Sequence, residues 1–237
     1  MKNLYIYAAF SFLLISGNLK GQVVNDRATQ INTSKALIDI VTKIQGLDNS
    51  KETEVEGTPF LYDDWSQGSI TTTNGAIFTD IKLKYNLYNE QLIFLNEKSN
   101  EPFLVDLDKL QEFNIYGLDT LHFVKNTVLS SIFNTHFFQL LYSGPVSLFK
   151  VQSKEILQFD ANSSSPTSNP PRLITRSSLF LVNDDTYCEL KKGRKKVISC
   201  FDDHKVEMEN FAKKNKLNFN DERDLVKLFH AYEVIVE

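Results

Sequence analysis

Apolar and polar residues alternate along residues 68–116, and this alternation predicts a meander of four to five antiparallel strands. Its first turn is marked by Asn74 and Gly75, a pair typical of two-residue β-hairpin loops because both residues tolerate positive φ. A loop of that length would pair Thr72 with Ile77 and direct Ile77 into the core.

Two more hairpins are predicted further along the chain. Residues 133–142 and 146–151 are apolar and enclose a Ser-Gly-Pro turn, and residues 178–182 and 186–190 flank an Asn-Asp-Asp turn. Between them, residues 160–171 are rich in Ser, Asn and Pro. That composition predicts an exposed loop, because it offers little apolar surface to bury.

The pattern changes to a helical period near both ends of the chain. Residues 201–237 carry apolar positions at helical spacing and acidic residues near the start of the second predicted helix, which predicts a C-terminal helical hairpin. Residues 34–46 have a similar spacing, but a strand fits them equally well. The predicted fold class is therefore α+β: mainly an antiparallel β meander, built as a curled sheet, half-barrel or sandwich, with the C-terminal helices packed on it.

The first 21 residues have the pattern of a cleaved signal peptide. Lys2 precedes an apolar run at residues 4–15 that is short for a membrane span, and the preferred cleavage point lies between Gly21 and Gln22. An uncleaved anchor is the alternative. The predicted organisation is a signal peptide at residues 1–21, an N-terminal segment and linker at 22–56, an antiparallel β domain at 57–200 and C-terminal helices at 201–237.

Composition narrows the functional classes. The chain has a formal net charge of −4, which argues against general binding of nucleic acids because phosphates require a positive field. Hydrophobic residues make up 42% of the chain, which is enough for a core without additional cross-links. With 18 Phe and one Trp, the aromatic residues fit a packed β core better than a sugar-stacking surface.

Two features near residue 190 leave alternatives open. Cys188 and Cys200 either form a disulfide, which export would permit, or remain two half-buried thiols. Between them, residues 191–196 (KKGRKK) are the most basic stretch of the chain. This stretch is either a solvated turn, which the acidic composition favours, or a contact for anionic lipid or glycan.

Residues 57–68 (GTPFLYDDWSQG) combine turn-forming residues, large aromatic side chains and the single Trp. A functional interpretation makes Tyr62, Asp63, Asp64 and Trp65 a ligand-binding group, with the aspartates as metal ligands or acids. The favoured structural interpretation is a plug, in which the aromatic residues cover one end of the sheet and the aspartates lie in a wet turn. Adjacent carboxylates are not a spacing that acid–base chemistry requires.

No catalytic or cofactor-binding motif is recognisable in the sequence. None of the four histidines forms an HExxH or HxH pair, and P-loop, Rossmann, EF-hand and GxSxG patterns are absent. The sequence therefore predicts no cofactor, no metal site and no nucleic-acid partner. It also predicts no transmembrane span once the signal peptide is removed.

Three segments together resemble an uncharacterised family of exported proteins from Gram-negative bacteria. They are a GxPFLxxxWxxG element at residues 57–68, the Asn-Gly hairpin at residues 74–86, and the run KKNKLNFNDERDLVKL at residues 213–228. The resemblance implies export and a β-meander. It carries over no activity, catalytic residue or ligand.

The predicted function is that of an exported, non-catalytic envelope protein, in the periplasm or at the cell surface. It would serve as a binding or structural accessory module for an envelope protein or glycan. The alternative is a periplasmic carrier that encloses a lipid or other apolar ligand in a half-barrel. A hydrolase that uses Asp63 or Asp64 is the third hypothesis.

Overall fold

Eleven antiparallel strands form one open sheet in the computed structural model, which describes residues 37, 39–43, 55–158 and 170–237. The few helices lie mainly near the C-terminus, so the predicted α+β class with an antiparallel meander is confirmed. The strands are β1 (Val41–Lys43), β2 (Ser66–Thr72), β3 (Ile77–Asn86), β4 (Gln91–Asn96), β5 (Glu101–Val105), β6 (Leu110–Tyr116), β7 (Thr120–Val124), β8 (Phe138–Tyr142), β9 (Ser147–Leu157), β10 (Arg172–Asn183) and β11 (Thr186–Glu189). The helices are α1 (Thr127–Ser130), α2 (Arg194–Ile198), α3 (Lys205–Lys214) and α4 (Glu222–Val236), with 3₁₀ turns at Leu107–Lys109 and Ser199–His204.

The strands follow the order β1-β5-β4-β3-β2-β6-β7-β8-β9-β10-β11 across the sheet. The chain runs away from β2 as far as β5 and then crosses back, so that β6 pairs with the other side of β2. In a flat sheet β5 and β6 would lie roughly 19 Å apart, whereas the chain from Val105 to Leu110 reaches about 17 Å when fully extended. Strands β2 to β6 must therefore curl. We call the half of the sheet that contains β1 to β7 the curled half.

The first hairpin turn differs from the prediction by one residue. The Thr72 N–H donates to the Ala76 carbonyl and the Gly75 N–H donates to the Thr72 carbonyl, both at 2.9 Å, so the loop contains three residues. Gly75 has a φ of 84° and supplies the left-handed residue that three-residue hairpin loops need. Consequently Thr71, and not Thr72, pairs with Ile77.

This register shift moves Ile77 out of the core. Ile77 is 65% exposed, and the neighbouring Phe78 is buried in its place. The pairing of β2 with β3 is irregular just beyond this point, where Asp80 has a φ of 55°. The resulting bulge changes the phase of the alternation again, so that Leu83 and Tyr85 point into the core.

Aromatic rings fill the concave face of the curled half. The rings of Phe113 and Phe123 stack with centroids 4.6 Å apart, and Tyr85 meets them edge-on at 5.2 and 5.4 Å. Phe137 adds a fourth ring 5.2 Å from Phe113. Burial, with a smaller contribution from the carboxylate of Glu90, raises the pKa of the Tyr85 hydroxyl far above its usual value. The interior of this half is therefore occupied by side chains.

The C-terminal helices cover one face of the second half of the sheet, which runs from β8 to β11. Strands and helices share one core, whose buried members include Tyr142, Val146, Leu148, Leu181, Leu190, Val197, Ile198, Phe201, Met208, Ala212, Leu217, Leu225, Leu228 and Phe229. On the opposite face, Leu129 of α1 and the following Phe133 pack over Phe138, Phe149 and Phe180. This half is thus covered on both sides.

The start of α4 is fixed by its own acidic residues. The Asp221 side chain caps the helix by accepting a hydrogen bond from the Arg223 N–H at 2.9 Å. Glu222 forms an ion pair of 2.7 Å with Lys150 of β9, which joins the helix to the sheet. The negative charges at the helix start have the sign that complements the helix dipole.

Several predictions fall on stretches outside the described residues. These are the signal peptide at residues 1–21, most of the N-terminal segment and linker at 22–56, and most of the exposed loop at 160–171. A helix and a strand were both predicted for residues 34–46. Within that segment, Val41–Lys43 form strand β1, which pairs with β5 at the edge of the sheet. The β-branched side chains of Val41 and Thr42 favour the strand over the helix.

Candidate functional site

Residues 55–65, which we call the strap, contact both halves of the sheet. The strap first joins β10, because the Glu56 N–H donates to the Pro171 carbonyl and the Leu173 N–H donates to the Glu56 carbonyl, both at 2.8 Å. Gly57 then turns the chain with a φ of 100°, a conformation that other residues rarely adopt. Residues 57–59, Gly-Thr-Pro, therefore form the turn that follows this contact with β10.

The strap next joins the end of β3. The Leu61 N–H donates to the Tyr85 carbonyl at 2.8 Å, and the Leu87 N–H donates to the Pro59 carbonyl at 2.9 Å. Pro59 has no N–H of its own, so it can accept here without leaving a donor unpaired. These bonds hold the strap against the curled half.

Two strap aromatics bracket a lysine of β3. The Lys84 ammonium lies 4.6 Å from the ring centroid of Phe60 and 5.7 Å from that of Trp65. Cation–π contacts of this kind contribute about 0.5–1 kcal/mol at exposed sites. Phe60 and Trp65 are both half-buried, so they have a packing role whether or not a ligand binds.

Lys154 of β9 attaches the strap to the second half. Its ammonium donates to the Thr58 carbonyl at 2.6 Å, and its backbone N–H donates to the Leu87 carbonyl at 3.1 Å. Burial lowers the pKa of Lys154, and the nearby carboxylate of Asp63 acts in the opposite direction. One role of Asp63 is therefore to favour the charged form of this lysine.

The four residues singled out from the sequence have different surroundings. Tyr62, Asp63 and Asp64 are exposed, whereas Trp65 is half-buried over Lys84. In the part of the chain that the structure describes, no three His, Cys, Asp or Glu side chains are grouped closely enough to hold a metal ion. The aspartates thus lie in a solvated turn beside the aromatic contacts.

Tyr62 reaches a second exposed element, the turn between β6 and β7. Its hydroxyl lies 3.6 Å from the place that a Cβ on Gly117 would take. Leu118, in the middle of this turn, is fully exposed. Tyr116 is partly exposed, and its hydroxyl donates to Ser69 Oγ at 3.0 Å. We call Tyr62, Tyr116 and Leu118 the aromatic tip.

Leu118 was missed by the sequence reasoning. The run Tyr-Gly-Leu-Asp at residues 116–119 places a large apolar side chain between turn-forming residues, where the strand pattern does not require one. That mismatch was the available signal. The proximity of its turn to Tyr62 could not be predicted from the sequence, because it depends on the pairing of β2 with β6.

Two carboxylate–imidazole pairs lie elsewhere on the curled half. Glu112 accepts from Thr71 at 3.2 Å and lies 3.0 Å from His122 on the outer face of β6 and β7. Glu90 lies 3.4 Å from His136, and burial raises the pKa of the Glu90 carboxyl although His136 acts to lower it. Each pair joins neighbouring segments, and neither places a hydroxyl or thiol nucleophile beside its histidine in the described contacts.

An open cleft of about 290 Å³ lies beside β1, β3, β4 and β5. Its apolar lining includes Leu37, Val41, Ile81, Phe94 and Phe103. This volume is near the lower end of the range for small-molecule sites. The cleft opens at the edge of the packed concave core, because Phe94 is a buried member of that core and the other four residues pack against it.

Cys188 and Cys200 are joined by a disulfide with Cα atoms 5.7 Å apart.

No family model matches the chain, and comparisons with curated proteins and with solved structures find no significant similarity. Among the described residues, no helix combines the length and apolar composition that crossing a membrane requires.

Proposed function

We propose that this chain is an exported, non-catalytic protein of the Gram-negative cell envelope that binds a protein partner through the aromatic tip. The signal-peptide pattern and the family resemblance support export to the periplasm or the cell surface. The single observation that carries the binding proposal is the fully exposed Leu118, which follows Tyr116 on a turn whose Gly117 lies next to the Tyr62 hydroxyl.

Isolated apolar side chains are common on protein surfaces, but this group combines three properties of an interface. Leu118 lies on a turn between two paired strands, so its backbone is already ordered. Binding therefore costs little backbone entropy at this position. Tyrosines are enriched among the residues that dominate binding energy. The exposed Asp63 and Asp64 supply a polar rim next to Tyr62.

A protein partner fits the aromatic tip better than a glycan does. Leucine offers a sugar neither a flat ring for stacking nor a hydrogen bond, whereas it fills an apolar pocket on a protein. Trp65, the strongest stacking residue of the segment, is half-buried and engaged with Lys84. The tip therefore favours shape-complementary apolar docking.

In-cell photo-crosslinking tests the proposal. A photoreactive phenylalanine analogue at position 118 or 62 should yield the same discrete protein adduct, and Leu118→Asp should abolish the adduct formed from position 62. The matched control is position 206, where Val206 is also exposed but lies on α3. Equal adducts from position 206, or none from position 118, would overturn the protein-binding proposal.

A separate assay addresses the non-catalytic part. The purified mature protein should give no turnover in a panel of esterase, phosphatase, glycosidase and peptidase substrates. Turnover that disappears in Asp63→Asn or Asp64→Asn, with the folded structure retained, would establish the hydrolase hypothesis instead.

A carrier function is the second candidate, and the apolar cleft beside β1 is the observation that favours it. Native mass spectrometry of freshly purified protein would show a co-purifying apolar ligand, and Phe103→Glu would remove it. The packed concave core argues against the form of this hypothesis in which the ligand lies inside a half-barrel.

A further inference from the structure

The most strongly charged surface of the described chain lies in the disulfide loop. Residues 191–196, which we call the basic loop, are all exposed and carry four lysines and one arginine. The residues that follow turn inward, since Val197 and Ile198 are buried in the helical core. The loop is thus a solvent-facing projection on a fixed base.

Two constraints hold the basic loop in place. The disulfide between Cys188 and Cys200 brackets it, and the Lys196 N–H donates to the Gly193 carbonyl at 3.0 Å. Gly193 has a φ of 109°, and no atom lies within 4 Å of the place that a Cβ there would occupy. Lys191 and Lys192 are therefore presented just before Gly193, and Lys195 and Lys196 at the start of α2, all of them open to solvent.

Neighbouring carboxylates neutralise this surface only in part. Lys191 lies 3.6 Å from Glu189, and Glu209 of α3 lies 3.9 Å from Arg194 and 3.1 Å from Lys213. Because Glu209 contacts both Arg194 and Lys213, the basic loop lies next to a further cation, on α3.

The remaining lysines of the loop are Lys192, Lys195 and Lys196. Within the described residues, no carboxylate is within ion-pairing distance of any of the three. Like charges so close together repel one another, so a negative partner would relieve the repulsion.

We infer that the basic loop is a contact site for an anionic lipid surface. Lysine ammonium groups are flexible point charges without the forked geometry that selects a single phosphate or carboxylate. The one arginine is already engaged by Glu209 and by the ring of Phe219, 5.8 Å away. An exposed set of lysines therefore responds to the field of an extended anionic surface, which a lipid bilayer provides.

The charge of the whole chain gives this contact a direction. With a formal net charge of −4, the protein as a whole is repelled by an anionic membrane while the basic loop is attracted. Binding should therefore orient the molecule with the basic loop toward the lipid and should weaken steeply with ionic strength. This inference concerns a surface other than the aromatic tip and does not rest on the proposed function.

Co-sedimentation of the mature protein with vesicles tests the inference. We expect binding to vesicles of equal parts phosphatidylglycerol and phosphatidylcholine at 50 mM salt, loss of binding at 300 mM salt, and none to pure phosphatidylcholine. The variant Lys192→Gln/Lys195→Gln/Lys196→Gln should bind roughly tenfold to a hundredfold more weakly.

The matched control is Lys43→Gln/Lys82→Gln/Lys98→Gln, which removes the same charge near the opposite edge of the sheet and should retain vesicle binding. Leu118→Asp should retain it as well, which separates this site from the aromatic tip. Equal weakening in both lysine triple variants would overturn the inference. Binding to a soluble sulfated polysaccharide without binding to vesicles would also overturn it, in favour of an anionic glycan.

Discussion

Gly68 lies where β2 is paired on both sides, and a side chain there has no room. A Cβ would collide with the Asn114 carbonyl oxygen and would lie 2.8 Å from Leu83 Cδ1. Gly68→Ala should therefore lower the free energy of unfolding by about 1–3 kcal/mol, measured by urea denaturation. Gly117→Ala is the control, because its Cβ would meet only ordinary contacts. Equal stability of the two variants would contradict this prediction.

Glu90 makes stability depend on pH. Burial raises the pKa of its carboxyl more than His136 lowers it, so the folded state holds the proton more tightly than the unfolded state does. The stabilisation from the protonated form is complete below the unfolded pKa, about 4.3, and is lost as pH rises through the raised folded value. The side chain of Glu90→Gln remains neutral at every pH. The free energy of unfolding of this variant, relative to that of the wild type, should therefore increase as pH rises from 4 to 8.

Asp221→Asn supplies a control of opposite sign for Glu90→Gln. Hydrogen bonds from Arg223 lower the pKa of Asp221, so its stabilisation is present above the unfolded pKa and is lost as pH falls through the lowered value. Asp221→Asn should therefore be less stable than the wild type at pH 7, with the difference shrinking in acid. Parallel stability curves for the wild type and Glu90→Gln would contradict the assignment for Glu90.

At the scale of elements, α1 acts as a cover for the outer face of β8–β10. Leu129 is completely buried there, whereas Ile132 in the same segment is 42% exposed. Leu129→Ala should cost about 2–5 kcal/mol in the free energy of unfolding, because it removes packed methyl groups and leaves a cavity. Ile132→Ala should cost clearly less. Comparable losses would show that α1 is not seated as described.

The disulfide constrains the basic loop and the start of the helical region. Its two cysteines are separated by 12 positions, and closing a loop of that size stabilises a protein by about 3 kcal/mol through the entropy of the unfolded chain. Cys188→Ser/Cys200→Ser should lower the free energy of unfolding by that amount. The wild type in reductant should match the variant, and a negligible difference between oxidised and reduced protein would contradict the prediction.

Local signals explain which elements could be predicted from the sequence. Hairpins with short turns and the two C-terminal helices depend on neighbouring residues, and they were recognisable from alternation, turn residues and helical spacing. Loop length is a weaker signal, because Asn74 and Gly75 fit both two- and three-residue turns. The crossing from β5 back to β2 was not predictable, since nothing in residues 105–110 specifies the partner of β6.

The candidate site shows the same limit. The strap was recognisable because glycine, proline and large aromatic residues are concentrated in residues 57–68. Its contacts with β3, β9 and β10 join positions far apart in the chain, for example Lys154 and Thr58. The aromatic tip likewise requires Tyr62 to meet the β6–β7 turn, which only the folded sheet brings about.

At the scale of the whole molecule, the two halves of the sheet are joined in several ways. β7 pairs with β8 without a break, the strap is bonded to both β3 and β10, and Lys154 of β9 donates to the Leu87 carbonyl. Neither half can lose its structure without breaking backbone hydrogen bonds of the other. The halves should therefore unfold together.

This expectation can be measured because the two halves carry different probes. Trp65 fluorescence reports on the strap and the curled half, while circular dichroism at 222 nm reports mainly on α3 and α4. The two signals should give one midpoint in urea, and Leu228→Ala, which truncates a fully buried residue of α4, should lower both midpoints together by a loss of about 2–5 kcal/mol. Val234→Ala, at an exposed position of the same helix, should leave them unchanged. If Leu228→Ala shifted only the dichroism signal, the helices would be an independent unit and the strap would not couple the halves.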